Sequence, residues 1–358
     1  MTLTYTPVLP PIVGDGVTDD TAAMQSFLDT MPNYTEIIFP QGCKPKFSAS
    51  LLIQGRAGLR FRGTVGSGIS ANYPSQCGSC LTWQMNQPGT PMIGVYASRD
   101  ICFENLGILY MGGANPSVGI DIDRPQGTTG GFTVTNNGLI NCYIGGPALD
   151  CGFICLRNAW QSPVNCDFTY CDRCSFAPSG VSALTGIRTG IGFLNGPQYN
   201  AKGIRLSRCG FLNCGTGIWM QNGSIYADDL SGEMCDLALR ISATAGPMVF
   251  GPSPAGWENL KTFLRVDGMN SPIFIEGHRI ASLSGPGIFQ LYPGCATYIH
   301  VRGCTISVAK PGQTAMFDHS IGNSTSTVCS EGNVWGVPMP NPVGADRYYI
   351  PHRSDVYS

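Results

Sequence analysis

Three features of the sequence together predict an all-β chain, wound as a right-handed single-stranded parallel β-helix with a short N-terminal capping α-helix. The first is composition. Only 12% of the 358 residues are charged, 43% are hydrophobic, and there are 47 Gly and 26 Pro, a balance that suits many short strands joined by tight turns. The second is a degenerate repeat through the middle of the chain. The third is an amphipathic helical pattern just ahead of it, followed by the apolar stretches "TEIIFP" and "LLIQG".

The helix comes first. In "GDGVTDDTAAMQSFLDTMP", residues 14–32, Met24, Phe27, Leu28 and Met31 recur at helical spacing and mark one apolar stripe. Thr18 reads as the N-cap, Asp19 and Asp20 as first-turn acids favoured by the helix dipole, and Pro32 as the stop. Asp15, Asp19 and Asp20 therefore read as the start of a helix. A metal loop would require further ligands at fixed spacing and a closing Glu. Residues 1–35 form the lead and capping helix, 36–336 the β-helix and 337–358 a C-terminal tail.

The repeat reads apolar, x, apolar, x, x, special, x, apolar. It fits "ICFENLGI" (101–108), "FTVTNNGL" (132–139), "IRLSRCGF" (204–211), "IFIEGHRI" (273–280) and "IHVRGCTI" (299–306). Weaker copies are "TYCDRCSF" (169–176) and "VCSEGNVW" (328–335). Neighbouring copies are 31, 37, 35, 26 and 29 residues apart, with a longer interval between 204 and 273. Such periods mean stacked structural units. Each unit holds a period-two strand, a kink and a second strand, which is one coil of a β-helix. The special positions Leu106, Asn137, Cys174, Cys209, His278, Cys304 and Asn333 are expected to stack as an internal ladder. The copies at 132 and 204 also align Asn141 with Asn213 and Cys142 with Cys214. His278 is then a ladder member in preference to a catalytic base.

Other classes fall away. A net charge of −2 does not suit nucleic acid as the main partner, and no run reaches the roughly 18 apolar residues of a membrane span. The start "MTLTYTPVLPP" lacks a basic n-region and an apolar h-region, so no Sec-type signal peptide is expected. The pairs Cys77/Cys80 and Cys171/Cys174 have zinc-knuckle spacing but no His at ligand distance, so the sixteen cysteines read as small buried hydrophobes. No GxSxG, HExxH or P-loop occurs.

"GDGVTDDTAAMQ" (14–25), "EIIFPQG" (36–42) and "LRFRGTVGSG" (59–68) resemble the N-terminal signature of the pectate lyase superfamily of parallel β-helix proteins. "YTPVLPPIV" replaces the usual lead-in strand, and "PQGCKPKF" is an irregular form of the Gly-aromatic turn. The resemblance implies the fold and a place among tailspikes, polysaccharide depolymerases and pectinases. It also implies a homotrimer, as in tailspike-like relatives. In that superfamily the motif marks the fold and not the active site, so activity must be argued from the residues.

On a β-helix the chemistry is expected on an outward sheet face. In "GIDIDRP", Ile120 and Ile122 inward put Asp121 and Asp123 outward, about 6.6–7 Å apart. With the next coil in register, Asp150 of "ALDCG" lies about 4.8 Å across the stack. "GIWMQ" directs Trp219 and Gln221 outward, and "LALRI" exposes Ala238 and Arg240. Asp121, Asp123 and Asp150 are the candidate catalytic residues, and Trp219, Gln221 and Arg240 the candidate substrate-binding residues. The carboxylates suit a glycoside hydrolase, or a lyase if they hold Ca²⁺; no other cofactor and no resident metal are expected. Asp228, Asp229 and Glu276 form the next group to consider. Two classes stay open: a polysaccharide-degrading, tailspike-like enzyme, or a non-catalytic virion or surface protein that binds glycan or builds a fibre. Either fits a virion tail or an extracellular setting.

Overall fold

The structure, a computed structural model, describes residues 5–64, 78–85, 90–113, 118–123, 132–146, 151–155, 164–165, 167–177, 189–193, 202–221, 223–242, 246–268, 271–309, 314–318, 324–338, 349–350 and 353–357. Among the described residues three long parallel sheets run along one axis, and Phe132–Thr133 pairs with Val164–Asn165 in a separate two-stranded parallel sheet. Sheet A has thirteen strands from Thr6–Val8 to Tyr349–Ile350, and sheet B thirteen from Asp15–Asp19 to Val356–Tyr357. Sheet C has ten, from Leu51–Gln54 to Ala315–Phe317. A coil takes one strand from each sheet, as in Ile204–Ser207, Gly210–Leu212 and Thr216–Met220. The fold is the predicted parallel β-helix. The pairing of Val328 with Tyr349 and Val334 with Val356 carries the coil past residue 336.

At eight of the described turns between sheets A and B the chain uses one left-handed residue followed by one inward residue. Asn105, Asn141, Arg173, Arg208, Asp229, Gly277, Gly303 and Gly332 all have positive φ. After them come Leu106, Cys142, Cys174, Cys209, Leu230, His278, Cys304 and Asn333, none more than 1% exposed. Cysteine suits this position because the turn leaves carbonyls facing the core. Cys142 Sγ–H donates to the carbonyls of Ile140 (3.4 Å) and of Phe103 in the preceding coil (3.3 Å), and Cys209 does likewise with Ser207 and Cys171. A thiol gives a weak donor without polar bulk.

Two expectations about the ladder are corrected. Asn137 sits at the corner from sheet C to sheet A, where it accepts from Ile101 N–H (2.9 Å) and donates to Ser98 O (3.1 Å). Cys142 takes its predicted place. Asn213 and Cys214 in turn lie at the corner leaving sheet B, so they repeat the Asn141–Cys142 turn at another edge. The long interval after 204 holds two further coils, beginning at Ile225 and Met248.

Among the described residues one large hydrophobic core fills the coil, and Cys80, Leu109, Tyr143 and Ala177 form a smaller buried cluster apart from it. Phe176 and Phe211 stack at 5.4 Å, and Trp257 stacks on Phe211 at 5.6 Å although Gly232 lies between them on the ladder. The indole reaches over Gly232, where a Cβ would stand 2.2 Å from the ring. Facing this stack, sheet C supplies glycines: a Cβ at Gly190 would meet the Phe211 ring at 2.5 Å. Large and small residues thus interdigitate across the core. Two coils on from Gly190 in that column, past Gly217, Ala238 is fully buried, which corrects the expectation that it is exposed.

The helix spans Thr21–Thr30, with Asp20 as N-cap residue, and buries Met24 and Leu28. It starts later than expected, since residues 15–19 form a strand, so Asp19 and Asp20 precede its first turn. Each aspartate holds local backbone. Asp15 accepts from Val17 and Thr18 N–H, Asp19 from Thr21 N–H, and Asp20 from Val13 and Gly14 N–H. The helix covers the N-terminal end as predicted, and it does so at Leu51–Gln54, the first strand of sheet C. Gln25 donates to Leu52 O (3.0 Å) and accepts from Leu52 N–H (2.8 Å), imitating a neighbouring strand at the open edge. Arg56 donates to the helix-end carbonyls of Met31 and Leu28.

Candidate functional site

The outer face of sheet C holds most of the predicted site. Its ladder aligns Leu52, Gly94, Asp121, Ile154, Gly192, Trp219, Arg240, Arg265 and Gln290 in one row. Strand parity is as expected, with Ile120 and Ile122 in the core and Asp121 and Asp123 on the other side. Depth is not. Asp121 and Asp123 are each only 1% exposed. Gly94 in the preceding coil leaves room for the Tyr96 ring to fold back over it, and the Tyr96 hydroxyl comes within 3.4 Å of Asp121 Oδ2. The ladder partner of Asp121 in the next coil is Ile154, where the sequence had suggested Asp150. Asp150 itself lies outside the described residues.

Three ladder steps from Asp121, about 14 Å at 4.8 Å a step, the row becomes aromatic and cationic. Trp219 is half-buried and donates from Nε1 to Ser242 Oγ at 2.7 Å. The Arg240 guanidinium lies 4.0 Å from its ring centroid. One face of the predicted sugar platform is therefore already covered by a cation. Gln221 is half-buried just beyond the strand end.

Arg240 and Arg265 are direct ladder partners, a like-charge pairing that opposes folding unless something bridges it. Asp267 bridges it: Arg240 Nε donates to Oδ2 (2.7 Å) and Arg265 Nε to Oδ1 (2.5 Å). Arg265 also lies over the Tyr292 ring at 4.3 Å. Two guanidiniums against one carboxylate leave a net positive, orientationally fixed patch. Arg265, Asp267 and Tyr292 escaped the sequence reading. The signal was there in "TFLRV" (262–266), which repeats the Leu-Arg-aliphatic triplet of "LALRI" (237–241).

His278 is closed to solvent at 1% exposure, with the Phe263 ring 5.6 Å away. Neither ring nitrogen makes a hydrogen bond of good geometry with a described residue, and burial pulls its pKa down to about 4 against the opposing pull of the Phe250 and Gly251 backbone. It packs in the ladder, as expected. Twelve described cysteines are free thiols, ten of them buried, and burial pushes Cys171 and Cys174 well above the usual thiol range. Among the described residues no three His, Cys, Asp or Glu side chains converge as a metal site.

A second concavity, about 640 Å³, lies on the outer face of sheet A across the strands Ile204–Ser207, Ile225–Asp228 and Met248–Phe250. Tyr226, 54% exposed, and Val249 lie on its floor, and Arg205, Ser207 and Asp228 stand around them. Asp228 is thus on an outer face while its neighbour Asp229 occupies the left-handed corner position.

This geometry defines a parallel β-helix protein with polar and aromatic outer faces. No protein-family profile matches the chain, and no curated relative does either. Solved structures do match. An Acinetobacter phage tailspike aligns at TM-score 0.58 and 9% identity, over 100% of this chain and 62% of its own. The Dettilon tailspike protein aligns at 0.57 and 9%, over 98% and 68%. An exopolygalacturonase from Thermotoga maritima aligns at 0.55 and 10%, over 93% and 92%. The chain therefore spans under two thirds of the Acinetobacter phage protein. At these identities the likeness shows the fold.

Proposed function

We propose that this β-helix binds polysaccharide along its outer faces and degrades it, as a tailspike-like protein of a virion tail or an extracellular setting. The observation that carries the reading is the fixed row of Trp219, Arg240, Arg265 and Tyr292 on sheet C. Preordered guanidiniums and aromatic rings hold sugar hydroxyls and carboxylates with little ordering penalty. The tailspike and exopolygalacturonase names of similar folds support it. In the catalytic form, Asp121, Asp123 and Asp150 supply acid and base, and Trp219, Gln221 and Arg240 position the chain. A lyase version adds Ca²⁺ held by carboxylates. The assembly is a homotrimer packed side by side, which light scattering at micromolar concentration tests against a 38.1 kDa monomer.

A second reading, a non-catalytic glycan- or receptor-binding or fibre protein, is favoured by one observation. Asp121 and Asp123 are 1% exposed, which shuts them away from a polymer. Turnover of bacterial capsular polysaccharides and pectin, followed by reducing ends and by absorbance at 235 nm, separates the two. If the carboxylates act, Asp123→Asn and Asp150→Asn each remove nearly all turnover. Full activity in both moves the chemistry elsewhere. Binding without turnover in the wild type selects the second reading.

A further inference from the structure

We propose that the sheet A groove is a separate binding site for a segment of neutral hexose polymer, lying along the coil axis over Tyr226 and Val249. The proposal rests on the polysaccharide reading and adds a site on a different face from the Trp219–Arg240 row.

The ladder sets Tyr170, Arg205, Tyr226, Val249, Phe274 and His300 in one axial row. Beside it runs a second row of Asp172, Ser207 and Asp228. Over most of its length this face is laced by ion pairs. Towards the N-terminus Glu36, Arg60 and Glu104 are linked, and Asp172 is held by Arg208 (2.7 Å) and Arg173 (3.1 Å). Towards the C-terminus Arg302 meets Glu331 at 3.7 Å. Between them the pattern stops. Arg205 and Asp228 lie diagonally on adjacent coils, within reach of a long side chain, yet no ion pair or side-chain hydrogen bond joins either of them to a described residue.

Ser207 and the Tyr226 hydroxyl are likewise unengaged by described residues. Four polar ends of both kinds, donor and acceptor, therefore surround an apolar floor in a groove of about 640 Å³. Gly251 follows on the Asp228 side, where an added Cβ would come into contact with Asp228 Cβ at 3.6 Å and the Tyr226 hydroxyl at 3.9 Å, so the missing side chain keeps that end of the groove clear.

This is the chemistry of a pyranose site. The C–H faces of the ring rest on the phenol of Tyr226 and on Val249, and the hydroxyls take up Asp228, Ser207 and Arg205. One guanidinium and one carboxylate cancel, so the groove favours an uncharged sugar over a uronate. The rows run along the axis, with a rise of about 4.8 Å per coil, so a polymer meets the groove lengthwise.

Affinity electrophoresis in gels containing neutral bacterial and plant polysaccharides tests the site, with polygalacturonate as the charged control. At least one neutral polysaccharide is expected to retard the wild type. Tyr226→Ala, and Val249→Arg, which fills the floor, should each weaken that retardation about tenfold or more. Asp228→Asn, a conservative change on the rim, should weaken it while leaving thermal unfolding unchanged, which guards against misfolding of the bulkier variants. If all three bind every neutral polysaccharide as the wild type does, the proposal is overturned. The polysaccharide reading then survives where Arg240→Ala abolishes retardation. Retardation of the wild type by polygalacturonate alone also overturns the proposal. Retardation by nothing in the panel overturns both.

Discussion

Replacing His278 by Asn should remove a large part of the protein's sensitivity to mild acid. His278 is 1% exposed, and burial lowers its pKa from 6.5 to about 4. In the unfolded chain the imidazole binds a proton as pH falls through 6.5, whereas in the folded coil it stays neutral until about 4. Across that window the unfolded state binds more protons, so stability is fully present above pH 6.5 and is lost as pH falls towards 4. The full drop corresponds to about 3 kcal/mol, with about 2 kcal/mol of it falling between pH 7 and pH 5. The ladder neighbour Cys304, pushed up to about 11, remains neutral throughout and does not add to the slope. Asn is a natural replacement because Asn333 fills the same column, accepting from Cys304 N–H at 2.8 Å. Urea unfolding of wild type and His278→Asn at pH 7 and pH 5 measures the difference. The variant should lose about 2 kcal/mol less than the wild type on acidification, whatever its stability at pH 7. Equal losses in the two proteins would show that the imidazole is hydrated or paired, and the ladder account of His278 would fail.

Two further outcomes follow from the core. Gly232→Ala would place a Cβ 2.2 Å from the Trp257 ring, which Phe211 holds from the other side, so urea unfolding should show a loss of about 1–3 kcal/mol; an unchanged midpoint would mean the indole has room to move. In thiol titration the twelve described cysteines should react slowly in the native protein, chiefly at the half-buried Cys43 and Cys102, and denaturant should expose most of the sixteen in the sequence; extensive disulfide among the described cysteines would refute the role of Cys142 and Cys209 as turn donors.

How much of the fold was legible depended on what fills the corners. Coils whose turn is Gly-His, Gly-Cys, Arg-Cys or Asn-Leu share an inward His, Cys or Leu at one spacing, and the repeat at 101, 204, 273 and 299 exposes them directly. The coils at Ile225 and Met248 turn instead on "DDL" and "GPS". Neither carries the Cys or Asn that marked the others, yet Leu230 and Ser253 are fully buried at the same place. The misplacement of Asn137 has the matching cause. A left-handed residue followed by an inward one closes corners between more than one pair of sheets, so "NN" and "NC" look alike in sequence whichever two sheets they join.

The candidate site was legible in parity but not in depth. Alternation alone sends Asp121 and Trp219 to the same side of sheet C, and the ladder places them there. Whether an outward side chain meets water depends on what folds over it, and that is decided by residues far away in sequence. Tyr96, 25 positions earlier, reaches Asp121 because Gly94 beside it has no side chain. Arg240 covers a Trp219 face because the next coil also begins its outward pair with Arg, and Asp267 fixes both. Sheet A shows the converse. Of the neighbouring Asp228 and Asp229, the second takes the corner, which leaves a single carboxylate on an outer face beside an arginine that has no partner among the described residues. A charge left unpaired where its neighbours on both sides are paired is a stronger pointer to a ligand than a cluster of carboxylates, because folding gains nothing from leaving it so.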